Sequence, residues 1–317
     1  MGLSAALIRT AAMHLSGLDR FLAVVQAGSL NKAAELLHIS QPALTKSIQS
    51  LEERLGVDLF VREARGVSLT TYGKALLLRA RLIDAEMRNI GTDIEALQEL
   101  TSGSVNVGAP PGAGFHTSIL PAVTLRVIGG DRKLSVNYSM GTREQLLPAL
   151  REGGLDFVVG VVVEDDTTGD LVQVPLFEDR DCIVVRPGHP VLQARPPRIG
   201  DLLAHPWFVM TESVALEGAL RAQGRARGLL PARSIVHSDS SQLLKSAVLA
   251  SDGIGLTRYD VSRNDITSGV LREVDLDFRF EALGKHSMGL IHRKNAELSA
   301  ASRELMTEIQ AECRRYA

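Results

Sequence analysis

Leu18, Phe21, Leu22 and Val25 recur at three- and four-residue intervals within residues 15–26, the period of one buried helix face. Ala27-Gly28-Ser29 breaks that run. A second helix is predicted over 31–37 with Ala33, Ala34 and Leu37 inward. A third is predicted over 41–55 with Leu44, Ile48, Leu51 and Leu55 inward. Ser40 can accept from the free N–H groups of that third helix, so it reads as an N-cap. Pro42 falls in the first turn, where a missing N–H does no harm. Gly56 supplies the C-terminal stop. Two β-type segments, 59–62 and 67–70, flank Glu63-Ala64-Arg65-Gly66 and predict a hairpin.

From residue 71 to about 100 no proline occurs. Leu76, Ala80, Ile83, Met87, Ile90, Ile94 and Leu97 fall there at alternating intervals of four and three. That heptad seam on one long helix pairs with a twin helix in a dimer. Packing of the stripe on the helix's own domain is the alternative. Thr101-Ser102-Gly103-Ser104 reads as a hinge. Beyond it, strands at 105–108, 134–138 and 155–160 alternate with helices at 115–127 and 142–152, the rhythm of a parallel sheet covered by helices. A second α/β unit starts with a strand at 181–185. It continues through a strand at 207–210, a helix at 216–224, a strand at 235–237 and a helix at 241–251. A strand at 288–292 and a helix at 298–316 return to the first unit, giving two crossings. The predicted domains are 14–72, a linker helix at 73–102, and 103–317. The last divides into subdomain I (103–180 and 284–317) and subdomain II (181–283).

A chain of 317 residues accommodates two or three such units. No apolar run is long enough to span a membrane. The stretch 1–13 lacks the layout of a signal peptide and reads as a loose extension. Cys182 and Cys313 are the only cysteines; two distant thiols form no disulfide framework or metal-ligand spacing, which points to the reducing cytoplasm. Buried thiols are the ordinary reading, and a redox switch would need the two to be close.

Two short helices around a tight turn, the second opening with Gln, Thr and Lys, have the form of a helix-turn-helix that lays its second helix in the DNA major groove. The hairpin then makes a wing beside it. Gln41, Thr45, Lys46 and Gln49 share one helical face. Gln suits adenine edges and Lys suits guanine, Pro42 can touch a thymine methyl, and Ser40 and Thr45 can take phosphates. Asn31 and Lys32, at the opening of the second helix, join the DNA-binding set. Arg62 is a phosphate candidate, and Arg65 at the wing tip can reach the flanking minor groove or backbone. Charge complicates this picture. The whole chain has a formal net charge of −2, and within 13–72 Arg20, Lys32, Lys46, Arg54, Arg62 and Arg65 are matched one for one by Asp19, Glu35, Glu52, Glu53, Asp58 and Glu63. Because phosphate contacts supply much of DNA affinity, the placement of cations must carry binding, with Glu52 and Glu53 turned away.

These residues resemble a known family. The runs Gly28-Ser29-Leu30, Ala33-Ala34, Ser40-Gln41-Pro42-Ala43-Leu44, Leu51-Glu52, Leu55-Gly56, Leu59-Phe60 and Leu69-Thr70 with Gly73 are similar, without a gap, to the winged helix-turn-helix of LysR-type transcriptional regulators. Leu120-Pro121, Leu150-Arg151, Gly153, Leu155-Asp156, Gly188-His189-Pro190 and Gly253-Ile254-Gly255 resemble that family's effector domain. The resemblance implies an N-terminal all-α winged helix-turn-helix and a long linker helix. Behind them it implies a C-terminal α/β domain of two Rossmann-like subdomains resembling periplasmic binding proteins. It implies double-stranded promoter DNA, a second copy of the chain (homodimer or homotetramer) and RNA polymerase as partners. A small-molecule effector, often an anionic metabolite, would bind between the subdomains and re-pose the DNA-binding arms; no other cofactor is expected.

For the effector, Gly112 and Gly114 lie in a glycine-rich strand-to-helix loop whose free N–H groups favour a carboxylate or phosphate. No Gly-Lys-Ser/Thr follows, and Thr117 stands where a dinucleotide fingerprint needs glycine, so a structural turn is the competing reading. Thr142 matches the family position at which a threonine contacts effector. The run Thr211-Glu212-Ser213 would face the cleft after the Trp207 strand, with Thr211 and Ser213 as its candidate ligand residues. Thr257 and Arg258 stand where the family usually carries an aliphatic-proline pair, and Arg258 serves either as the cation for an acidic ligand or as a surface side chain. No histidine pair with metal spacing, nucleophile elbow or carboxylate pair suggests an enzyme. A ligand-binding protein whose α/β domains do the main work is the reading from another class. A constitutive DNA binder with an unused cleft is the third.

Overall fold

The computed structural model describes residues 5–63, 66–97, 102–110, 119–129, 133–163, 169–193, 196–230, 232, 234–275 and 285–316. The chain divides into two units, Met1–Gly91 with Glu152–Gly154 and Thr92–Arg151 with Leu155–Ala317.

The N-terminal unit opens with α1 (Ala5–Ala27), α2 (Leu30–Leu36) and α3 (Gln41–Leu55). Helix α1 begins well before the expected boundary, so much of the stretch expected to be a loose extension is helical. Its segment 5–13 is alanine-rich and free of glycine and proline, which favours helix. Gly28 (φ 64°) turns the chain into α2, and His38 (φ 53°) takes the left-handed conformation in the turn to α3. The cap reading is met at α3: Ser40 Oγ accepts from Ala43 N–H at 3.4 Å, and Gly56 (φ 70°) ends the helix. Phe21, Val24, Ala33, Ala34, Leu44, Ile48, Leu51 and Leu59 form the core. Burying each large apolar side chain in that set stabilises the unit by about 1.5–3 kcal/mol. Leu55, expected inside, is exposed, because the apolar stripe outruns the core by one turn.

Strands β1 (Phe60–Glu63) and β2 (Gly66–Leu69) form the antiparallel hairpin, Phe60 opposite Leu69. Val67 N–H donates to the Gly28 carbonyl at 3.1 Å, which ties the hairpin to the α1–α2 turn. Helix α4 (Thr71–Leu97) follows. The Thr70 hydroxyl accepts from Gly73 N–H at 3.0 Å as its cap and donates to the Asp58 carbonyl at 2.7 Å. A Cβ on Gly73 would collide with the Leu59 carbonyl, so only glycine lets α4 start this close to the hairpin. The seam of α4 serves two ends. Ala80 lies in the core and Leu76 packs against it, whereas Ile83, Met87, Ile90 and Ile94 are exposed. The Leu97 side chain lies outside the described residues. Two expectations for the seam thus divide along one helix, since its first turns pass over the hairpin and core while the later ones run beyond them.

In the C-terminal unit β3 (Ser102–Ala109), α5 (Ile119–Ile128), β4 (Lys133–Met140), α6 (Arg143–Arg151) and β5 (Phe157–Val161) come first. Ser102, Gly103 and Ser104, read as hinge, belong to β3 and pair with Lys133, Leu134 and Ser135, so β4 extends the sheet past the small residues. The chain continues through β6 (Leu171–Val185), α7 (Ile199–Leu203), β7 (Trp207–Met210), α8 (Val214–Ala226) and β8 (Ile235–Ser238). It closes with α9 (Ser241–Leu249), β9 (Ile254–Arg258), α10 (Tyr259–Thr267), β10 (Arg272–Glu273), β11 (Lys285–Arg293) and α11 (Ala300–Tyr316).

The strand order is β4-β3-β5-β11-β6-β9-β7-β8, with β10 beside β6. The sheet is mixed, not purely parallel as expected. Strand β6 runs unbroken through the residue where a new strand was expected, pairing antiparallel with β11 over 171–180 and with β9 over 181–184. One strand therefore carries the chain from one half of the sheet to the other, and β11 brings it back. The first half packs Val107, Val123, Phe157, Leu290 and Ile309; the second packs Val185, Trp207, Val209, Leu216 and Ile254. Trp207 Nε1 donates to the Leu202 carbonyl at 2.9 Å. Cys313 lies in the first-half core and Cys182 in a cluster of the second half with Met210 and Val248. Burial raises both thiols, Cys313 to about 12, so neither is a ready thiolate. Among the described residues no helix is long and apolar enough to cross a membrane.

Candidate nucleic-acid interface and effector cleft

One face of α3 gathers Gln41, Pro42, Thr45, Lys46, Gln49, Ser50 and Glu53 around a shallow depression. Gln41, Pro42, Lys46 and Gln49 are exposed and Thr45 is half-buried. Gln41 Nε2 donates to Thr45 Oγ1 at 2.8 Å, one turn along. Asn31 and Lys32, at the start of α2, are also exposed. The two acids expected to turn away behave differently. Glu52 is spent on structure, its Oε1 accepting from Leu59 N–H at 2.8 Å and Phe60 N–H at 3.2 Å. Glu53 shares the face of Gln49, four residues earlier, and so lies among the candidate DNA contacts. Arg20 is directed to Ser47 Oγ at 2.8 Å, which fixes α1 on α3. The Arg62 side chain and all of Arg65 lie outside the described residues.

In the C-terminal unit a cavity of about 320 Å³ opens between the two halves of the sheet. Parallel strands β3, β4 and β5 present their carboxyl ends to it through Pro110, Thr142 and Gly160-Val161. Parallel strands β9, β7 and β8 do the same through Arg258, Thr211-Glu212 and Asp239. Carboxyl strand ends at a change of strand order are where open α/β sheets bind ligands. Leu146, Leu147, Val158 and Ile291 make the first wall apolar.

Thr142 caps α6. Its N–H donates to Gln145 Oε1 at 3.0 Å while its carbonyl accepts from Gln145 N–H at 3.0 Å. The adjoining Glu144 carboxyl is held below its ordinary value, first by its own backbone N–H and then by Thr142. Arg143 Nη1 donates to the Val161 carbonyl at 2.8 Å. Arg258 is 3% exposed. Its Nε lies 3.3 Å from Asp179 Oδ2 and its Nη2 3.3 Å from Met288 Sδ. Asp179 also accepts from Asp260 N–H at 3.0 Å. Arg258 is thus a buried, paired cation on the cavity wall and not a surface side chain.

Two expected ligand residues are elsewhere. Ser213 is buried and donates to Asp181 Oδ1 at 3.3 Å, which holds β6 to the turn after β7. Thr257 is fully buried opposite Cys182, because neighbours in a strand face opposite sides and Arg258 takes the cavity side. Gly112 and Gly114 lie outside the described residues. Glu212 lines the cavity beside Thr211, as the run after the Trp207 strand leads one to expect. Arg143, Glu144, Asp239 and the apolar wall were not anticipated; Asp239 meets Glu212 only through the pairing of β7 with β8.

A winged helix-turn-helix followed by a ligand-sized cleft defines a one-component, ligand-responsive DNA-binding protein. Residues 15–74 match the model of the bacterial regulatory helix-turn-helix protein, lysR family, and residues 98–314 match that of the LysR substrate binding domain. The chain belongs to the LysR family of transcriptional regulators: it is a DNA-binding regulator with a substrate-binding domain, not an enzyme. It is 32% identical over 294 residues to the SDS degradation transcriptional activation protein of a Pseudomonas species, covering 91% of this chain and 92% of that protein. It is 28% identical over 302 residues to the regulator GbpR of Azospirillum brasilense, covering 95% and 87%. The crystal structure of ArgP from Mycobacterium tuberculosis shares the fold, with a TM-score of 0.67 at 20% identity over 94% of this chain and 96% of that one.

Proposed function

We propose that α3 enters the major groove with Gln41, Thr45, Lys46 and Gln49 toward base edges. Ser40, Asn31, Lys32, Arg62 and Arg65 supply the flanking phosphate and minor-groove contacts. The exposed seam of Ile83, Met87, Ile90 and Ile94 pairs two copies through α4, so that two recognition helices address two half-sites. A small-molecule effector fills the cavity between the halves of the sheet, touching Thr142, Thr211 and Arg258, and shifts the pose of the paired arms. The protein works in the cytoplasm, on promoter DNA. The observation that carries this reading is the gathering of four groove-reading side chains on one open face of α3, with Gln41 held in place by Thr45.

Nuclease footprinting on DNA upstream of the protein's own gene tests it. Two protected half-sites with centres separated by whole helical turns, about 10 base pairs or a multiple, are expected, and both vanish in Gln41→Ala. A reporter from the same promoter, screened against a metabolite panel, tests the cleft. Thr142→Ala should weaken the response about tenfold, equivalent to one lost hydrogen bond of about 1.4 kcal/mol, with DNA affinity unchanged. A full response in Thr142→Ala would move the effector out of this cavity.

A further inference from the structure

The charges on the cavity wall do not suit the simple anion that the sequence leads one to expect. Three carboxylates, Glu144, Glu212 and Asp239, line it against two guanidinium groups, Arg143 and Arg258. Arg143 is engaged on the Val161 carbonyl, which leaves Arg258, 3.3 Å from Asp179, as the one buried cation on the wall with donors to spare among the described residues. Glu212 and Asp239 form no hydrogen bond or ion pair with another described residue. They also stand side by side. Strands β7 and β8 are parallel with Met210 opposite Ser238, so Thr211-Glu212 and Asp239 leave adjacent strand ends on one wall. A lone carboxylate ligand placed there would meet two like charges, neither of them paired with another described residue, and would be repelled.

The second observation is the state of Arg258 itself. Its side chain is 97% buried, yet the residue lines the cavity. Its Nε lies 3.3 Å from Asp179 Oδ2 without a hydrogen bond, the Met288 sulfur, a weak acceptor, meets Nη2, and Nη1 has no protein partner among the described residues. A buried guanidinium with an unsatisfied donor beside an open cavity calls for an acceptor on a ligand. Arg258 ends β9, which neighbours β7, so this donor and the two free carboxylates sit on three successive strand ends. One wall thus offers a cation and two anions together, and the opposite wall offers Leu146, Leu147, Val158 and Ile291.

From this arrangement we infer that the cleft takes a zwitterionic amino acid with an apolar side chain: its ammonium lies between Glu212 and Asp239, its carboxylate at Arg258 and Thr211, and its side chain against Leu147, Val158 and Ile291. The inference rests on the cavity being the effector site. It replaces the anionic metabolite with a molecule whose two charges match the two sets of free groups. The volume of about 320 Å³ is of ligand size.

Calorimetric titration of the full-length protein with two matched series tests it. The first is L-phenylalanine, 3-phenylpropanoate (no ammonium) and phenethylamine (no carboxylate); the second is L-leucine, 4-methylpentanoate and 3-methylbutylamine. At least one amino acid should bind tenfold or more tightly than both of its truncated partners. The pair Glu212→Gln with Asp239→Asn should weaken it about tenfold while improving the carboxylate-only probe. Thr211→Trp, which adds bulk at an exposed cavity residue without touching the core, should block binding, with DNA binding retained as the check of folding. A carboxylate-only probe that binds most tightly, and is blocked by Thr211→Trp, would overturn the zwitterion and leave the cleft reading standing. Binding of none of the six, or binding indifferent to Thr211→Trp, would overturn both.

Discussion

The side-chain amide of Gln41 donates to the hydroxyl of Thr45 at 2.8 Å, joining the first and second turns of α3 across its open face. Only one of the two amide protons is used. The other proton and the carbonyl oxygen remain free, and together they form a pair that suits the adenine N7 and N6 edge. Thr45 thus fixes the rotamer of the side chain proposed to read a base. Gln41→Ala should reduce affinity for the specific site by about 1–3 kcal/mol with little change for a scrambled duplex. Thr45→Val should have a smaller effect of the same kind, about 1 kcal/mol or less. Competition binding with both duplexes checks the ordering.

Lys46 and Glu53 should act in opposite directions. Lys46→Ala should weaken binding to the specific site by about 1–3 kcal/mol and relax the preference at the base that it contacts, with a smaller loss on a scrambled duplex. Glu53→Gln removes a negative charge from the same face and should strengthen binding to both specific and scrambled DNA. If Glu53→Gln instead weakened only the specific complex, Glu53 would be accepting from a base, as carboxylates do from cytosine.

The exposed turns of α4 predict a dimer that one charge can break. Ile90 is 51% exposed in the single chain and sits mid-seam between Met87 and Ile94. Ile90→Glu should raise the dimer dissociation constant about 100-fold, equivalent to about 2.7 kcal/mol, in sedimentation equilibrium. Leu76→Ala should act on the fold instead, since Leu76 packs on the core of its own unit. An Ile90→Glu protein that associates like the parent would remove α4 from the interface.

His189 gives the protein a pH-dependent weakness. It is fully buried, and its Nδ1 accepts from Val191 N–H at 3.1 Å, which requires an unprotonated nitrogen. Burial lowers its pKa from the ordinary 6.5; the Asp252 backbone opposes this and His205 adds to it. The folded value therefore lies below the unfolded one. Above 6.5 both states are neutral and the contribution is complete. As pH falls from 6.5 toward the folded value, the unfolded chain takes up the proton first and stability is lost. Urea unfolding across this window should show a decline that is flatter in His189→Gln. Equal slopes in the two proteins would contradict it.

How much of this could be read from the sequence depends on the range of the interaction. Helix α3 was legible to the residue, because Ser40, Pro42 and Gly56 are local signals of its ends. The position of Glu53 on the reading face was legible in principle from its spacing to Gln49. The fate of Glu52 was not, since it accepts from Leu59 and Phe60, whose approach depends on the hairpin folding back. In the cleft, Thr142, Thr211 and Arg258 line the wall: the family match pointed to Thr142, the strand before it pointed to Thr211, and the sequence left Arg258 open between cleft and surface. Thr257 does not line it, because strand alternation says that neighbours face opposite ways but not which faces the cavity; Ser213 does not, because the turn after β7 directs it to Asp181 of β6. Asp239 joins Glu212 only through strand pairing, which no local pattern announces. The unbroken course of β6 is hidden for the same reason, its two halves being defined by different partner strands.

Fluorescence anisotropy of the full-length protein with DNA from upstream of its own gene, against a scrambled duplex and across a salt series, tests the central claim most directly. The predicted result is binding at least 1000-fold tighter to the upstream DNA, within the range of about 10³–10⁷ for specific regulators. A steep salt dependence should accompany it, with the preference reduced in Gln41→Ala by about 1–3 kcal/mol. Equal affinity for the two duplexes would mean that the balanced charge of residues 13–72 leaves α3 no groove to read.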